Sequence, residues 1–150
     1  MLKITLWLST LVLGVFVIAP ALAAELTAAE KSVIFKAAGF KAKGNAFIRC
    51  EDDTTASASP GSIEMPDLNA DGTDEARVRE GSLFCYGNTA EAFVLLNKNA
   101  KGEWTPILDE VGVALPLKTK TRNWLDIEVG GPGMGPFPVF RYSGKKYVRK

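Results

Sequence analysis

The spacing of apolar residues changes character three times along this chain, and each change predicts a different element. An unbroken apolar run from Ile4 to Ile18 follows the single charge at Lys3 and gives way to Pro20 and the triplet Ala21-Leu22-Ala23. These are the charged, apolar and cleavage regions of a secretory signal, so residues 1–23 are expected to be removed. Residues 4–24 are also just long enough to stay as a membrane anchor, but Pro20 and the Ala-x-Ala spacing favour cleavage. After it, Thr27-Ala28-Ala29-Glu30 has the spacing of a capping box, and Ala29, Val33, Ile34, Ala37 and Ala38 recur with helical period before Gly39. One helix is predicted there, its apolar stripe a packing face and its end a left-handed glycine.

Residues 51–61 are small, polar and aperiodic, which predicts a mobile surface loop. Downstream the pattern is one of short strands divided by turn residues. Strands are expected over 62–65, 76–80, 82–86, 92–97, 104–108, 125–129, 139–142 and 146–149. Asn99-Ala100-Lys101-Gly102 and Ser143-Gly144 are turn sequences short enough to join antiparallel neighbours. The glycine- and proline-rich stretch 130–136 has the composition of an exposed loop, and the extended pattern after it does not suit a phosphate cradle. The expected fold is therefore α+β, one N-terminal helix packed on a mainly antiparallel β-meander, in a single domain spanning residues 24–150.

Charge and cysteine content narrow the class. Without Lys3 the remaining chain has 17 basic and 17 acidic side chains. That balance argues against a non-specific nucleic-acid or membrane-surface binder. The last ten residues are nonetheless basic, which reads most simply as a solvated terminal strand. Cys50 and Cys85 are the only cysteines, and in an exported chain, periplasmic or secreted, an even pair tends to close. A disulfide between them would constrain the unfolded chain by on the order of 3 to 4 kcal/mol, the alternative being two separately buried thiols. Histidine is absent, which removes imidazole-based nucleophilic sites and His-ligated zinc.

One segment carries a pattern with specific chemistry. Asp67-Leu68-Asn69-Ala70-Asp71-Gly72-Thr73-Asp74-Glu75 reads D-x-N-x-D-G-x-x-E. Oxygen-bearing side chains at 67, 69 and 71 can converge when the chain curls, and Gly72 permits the bend. Calcium takes six to eight such oxygens at about 2.3 to 2.6 Å. Asp67, Asn69, Asp71, the Thr73 carbonyl and Glu75 are the candidate ligands of a structural Ca2+, against the simpler reading of an Asp-Gly turn with no ion. A full EF-hand is not matched, because its twelfth position falls on Val78. The segment resembles instead the nine-residue calcium loops of FG-GAP and VCBS repeats, present here in a single copy. More widely, residues 26–150 look like a group of small exported bacterial proteins of unknown function that share D-L-N-x-D-G, F-C-Y-G-N-T and W-x-D-I-x-x-G-G-P-G, here Asp67–Gly72, Phe84–Thr89 and Trp124–Gly133. This resemblance implies one compact domain and no particular activity.

Three functional classes compete: a binding module, an enzyme and a purely structural envelope component. A non-enzymatic binding module for an envelope protein or glycan would use a surface containing Trp124, the glycine-proline loop and the terminal hairpin. Ser143-Gly144-Lys145-Lys146-Tyr147 resembles the S-G-x-x-Y loop of bacterial periplasmic lysozyme inhibitors, which would give Ser143, Lys145 and Tyr147 a contact role. A carboxylate-based hydrolase would need a pair such as Asp109 with Glu110, or Asp126 with Glu128. The second pair is expected on the solvent-facing side of a strand whose other side carries Leu125, Ile127 and Val129.

Overall fold

The computed structural model describes residues 25–55, 58–131, 133 and 135–150, so the predicted signal segment lies outside the described residues. The helix, α1 (Ala28–Ala37), forms where its caps predict. Thr27 Oγ1 accepts the Glu30 N–H at 3.3 Å while the Glu30 carboxylate accepts the Thr27 N–H at 2.8 Å. At the other end Gly39 is left-handed (φ +83°), and the Gly39 and Phe40 N–H groups bond to the Lys36 and Phe35 carbonyls. That double closure is a Schellman motif, and its expected apolar contact is present as the Phe35–Phe40 ring pair at 5.6 Å. The buried face is not quite the predicted stripe: Ile34, Phe35 and Ala38 point inward, whereas Val33 is exposed.

The expectation of an α+β fold is overturned. Among the described residues ten strands in three antiparallel sheets dominate, and α1 is a minor layer on them. A hairpin, β1 (Lys41–Lys43) and β2 (Ala46–Ile48), follows the helix. The first main sheet comprises β3 (Ser59–Glu64), β4 (Ala76–Gly81), β5 (Glu91–Lys98) and β6 (Trp104–Val111), in that spatial order. The second comprises β7 (Val113–Thr121), β8 (Trp124–Gly130), β9 (Val139–Tyr142) and β10 (Tyr147–Arg149), also in chain order. The expected meander therefore occurs twice, as two stacked four-stranded sheets.

Alternation along β5 explains the stacking. Phe93 and Leu95 face the second sheet and join Ile107, Ile127, Val129 and Phe140 in one core. Val94 and Leu96 face the other way and join Ile34, Phe35, Phe40 and Val78 in a second core beneath α1. The first sheet is thus buried on both faces, which is why its central strand reads as a continuous apolar run. Two close approaches hold the layers in place. A Cβ on Gly61 would lie 2.7 Å from the Phe35 ring, so glycine lets β3 pass under the helix. Gly112, at φ +146°, turns the chain from one sheet into the other, where a Cβ would meet Val129 Cγ1 at 2.5 Å and the Gly130 carbonyl oxygen at 2.7 Å.

Three local expectations change. Residues 82–86 are not a strand: Ser82 Oγ accepts the Cys85 N–H at 2.9 Å and caps a short helix, α2 (Leu83–Tyr86), which continues into a 3-10 turn over Gly87–Thr89. The polar stretch expected over 51–61 gives way to β3 at Ser59. Strand β7 falls where none was expected, and its Pro116 is tolerated because β7 lies at a sheet edge and bulges between Pro116 and Lys120.

Candidate functional site

The D-x-N-x-D-G-x-x-E segment connects β3 to β4, and its curl comes from two left-handed residues, Ala70 (φ +61°) and Gly72 (φ +83°). Three of its polar side chains fold back on the turn. Asp67 Oδ1 accepts the Ala70 N–H at 2.7 Å, Asn69 Oδ1 accepts the Asp71 N–H at 2.8 Å, and Asp71 Oδ1 accepts the Thr73 N–H at 2.8 Å. Glu75 closes the loop from below. Its N–H donates to the Pro66 carbonyl at 2.9 Å, and its Oε2 accepts the Leu68 N–H at 2.7 Å. The other faces of Asn69, Asp71 and Glu75 meet around one donor. Asn69 Nδ2 lies 2.8 Å from Asp71 Oδ2 and 3.5 Å from Glu75 Oε1.

The electrostatics of this curl are one-sided. Glu75 is 1% exposed. Burial pushes its carboxyl up to about 7, the Leu68 N–H pulls the other way, and Asp71, Asp67 and Asp74 add to the rise. Asp67 sits in the same curl but is held below the ordinary carboxylate range. There the N–H groups of Gly72, Ala70 and Asn69 outweigh desolvation. Among the described residues none of these four acids makes a salt bridge.

The loop also joins the layers. Leu68 is buried in the core between the two main sheets, and its carbonyl accepts the Leu125 N–H of β8 at 2.8 Å. On its outer side Gly72, Thr73 and Asp74 border a pocket shared with Leu26 and Ile34 of the helical layer. A change in the loop would therefore be felt in all three layers.

Asn69 turns its amide N–H, not its oxygen, toward Asp71 and Glu75, and so supplies the positive group between the two acids. Asp67, Asn69, Asp71, Thr73 and Glu75 are the residues that would hold calcium. Among the described residues, no three or more Cys, Asp or Glu side chains group as metal ligands do.

The other predicted site residues separate. Cys50 and Cys85 form a disulfide with Cα atoms 6.1 Å apart, which ties α2 to the chain after β2. Trp124 and Tyr147 lie in the core, 8% and 4% exposed. Trp124 stacks on Tyr142 at 4.2 Å, and the Tyr147 hydroxyl donates to the Leu125 carbonyl at 2.8 Å. Ser143 and Lys145 are exposed at the tip of the β9–β10 hairpin, where Ser143 Oγ donates to the Lys146 carbonyl. Asp109 is bound through both oxygens by Arg49, at 2.7 and 2.9 Å. Its neighbour Glu110 is raised by burial and then by Asp109. Asp126 differs from expectation: it is 3% exposed and reaches only Arg141, at 3.8 Å, leaving Oδ1 without a hydrogen-bond partner among the described residues.

A buried polar network beside the disulfide escaped the sequence reading. Glu80 accepts the Arg49 N–H at 2.9 Å, the Cys50 N–H at 3.0 Å and the Tyr86 hydroxyl at 2.6 Å, while Ser82 Oγ donates to Asp53 at 2.7 Å. Its one sequence signal is the Ser-x-x-Cys spacing of the cap at Ser82. No family model matches this chain, and none of the curated proteins or solved structures does.

Proposed function

We propose that this chain is a non-enzymatic binding module, exported from the cytoplasm, whose loop 67–75 holds a structural calcium ion. The observation that carries the reading is the buried Glu75 carboxylate, gathered with Asn69 and Asp71 into one curl beside Asp67 and without a salt bridge. Burying a carboxylate among other acids is costly, and a divalent cation would offset it. The role is structural because the loop's other bonds run to the packing core: Leu68 inserts between the sheets and is bonded to Leu125. The disulfide and the signal-like residues 1–23 support export, since paired cysteines persist in oxidising compartments.

Thermal unfolding of the purified protein in EDTA and in millimolar calcium tests the ion. A ligand that binds only the folded state at about 100 times its Kd stabilises by about 2.7 kcal/mol, which moves the midpoint by several degrees. The Glu75→Gln variant should lose most of that response. Equal midpoints in both buffers for the unaltered protein sink the calcium reading.

A further inference from the structure

The formal neutrality of residues 24–150 conceals a separation of charge between the layers. Residues 113–150, the second sheet and its connections, carry eight lysines and arginines against Asp126 and Glu128. Residues 24–112 carry nine against 15 acids, an equal excess of the opposite sign. In that part of the molecule Lys31, Lys41, Arg49, Arg77 and Arg79 each face an acid. In the second sheet Arg141 with Asp126 is the single salt bridge among the described residues.

Strand register brings five of these cations to one rim. Ile127 pairs with Phe140, so the Arg122-Asn123 turn before β8 and the 143–146 turn after β9 project from the same end of the sheet. The Trp124–Tyr142 stack at 4.2 Å and the Tyr142–Tyr147 contact at 5.5 Å join the bases of the two hairpins. Lys118, Lys120 and Arg122 rise along one hairpin, and Lys145 and Lys146 lie on the other, all five exposed.

The character of this rim selects its partner. The sheet's own aromatic side chains, Trp124, Phe140, Tyr142 and Tyr147, are all buried, so it offers no ring on which a nucleobase could stack. Its tips, 121–123 and 143–146, present no large apolar side chain that could enter a bilayer. Lysine predominates, and lysine is depleted from the dry centres of protein interfaces. What remains is attraction between flexible point charges and a repeating anion. We infer that the two hairpin tips bind an extended anionic polysaccharide, through its carboxylate or sulfate groups. This rests on the binding-module reading and gives its partner a chemical class.

The test is titration of the purified protein with heparin, polygalacturonate and neutral dextran at low and moderate salt. Phosphatidylglycerol vesicles and duplex DNA serve as competing polyanions. Binding to heparin or polygalacturonate but not dextran is expected, with affinity falling as salt rises; polygalacturonate carries carboxylates alone and heparin both groups, so binding to polygalacturonate assigns carboxylate and binding to heparin alone assigns sulfate. The Lys118→Glu/Lys120→Glu and Lys145→Glu/Lys146→Glu pairs should each weaken binding about tenfold or more, whereas Lys36→Glu/Lys43→Glu, an equal charge change on the helical layer, should leave it within about twofold. Circular dichroism establishes that each variant is folded. Equal losses from all three pairs, no binding to either polysaccharide, or tighter binding to vesicles or DNA overturns the inference. Calcium melts on the same samples separate the two readings. A midpoint shift without polysaccharide binding sinks this inference alone, and binding without a shift sinks the calcium site alone.

Discussion

Single residues here show how burial assigns different work to chemically similar groups. Glu80 is surrounded by donors and holds three of them, so it organises structure; Glu75 is raised first by burial and then by the acids around it. Removing Glu80 would strand the Arg49 and Cys50 N–H groups and the Tyr86 hydroxyl. A buried unsatisfied group costs about 1 to 3 kcal/mol, so Glu80→Ala should lose about 3 kcal/mol or more in urea unfolding. Glu80→Gln, which keeps one acceptor, should lose less. Neither residue's environment was visible in one dimension. Glu80 lies at an inward position of a strand whose neighbours Arg77 and Arg79 are charged, and only its partners from residues 49, 50 and 86 make that position tolerable.

At the scale of elements, local chemistry was legible wherever partners lie within a few residues. The capping box at Thr27 and Glu30, the glycine end of α1, the 99–102 and 143–146 turns and the bend at Gly72 all formed as their sequences demand. Elements decided by distant partners were misjudged. Leu83-Phe84-Cys85-Tyr86 has the composition of a strand, yet Ser82 caps it and Cys85 is bound to Cys50, so it is a short helix with Leu83 and Phe84 exposed. The disulfide closes a separation of 35 residues. Replacing both cysteines by alanine should cost on the order of 3 to 4 kcal/mol by the loop-closure argument, read as a lower urea midpoint. A destabilisation well below 1 kcal/mol would show that the polar network of Glu80, Ser82 and Asp53 carries that region unaided.

For the whole molecule, the consequence of three layers is that β5 is covered on both faces. Its buried run is shared between the cores, Phe93 and Leu95 in one and Val94 and Leu96 in the other. Local opening that exposes it must disrupt both, whereas the edge strands β7 and β10 can open alone. Amide hydrogen exchange should therefore be slowest in β5 and faster by orders of magnitude in β7. Protection in β7 equal to that in β5 would contradict this layering. The layering puts most acids in the first sheet and most bases in the second, yet the acidic calcium-type loop and the basic hairpin tips adjoin at one end, where Leu68 bonds to Leu125.

From sequence alone came the antiparallel meander, the caps, the cysteine pair and the oxygen-rich loop. Each depends on residues close in the chain, on period-two alternation or on a forced choice between two thiols. Tertiary structure decided that the meander splits at Gly112 into two stacked sheets, that the helix is one thin layer, that Trp124 and Tyr147 pack inward, and that scattered lysines share a rim. Those outcomes follow from which apolar face finds which partner across tens of residues, and periodicity specifies a face without naming what will cover it.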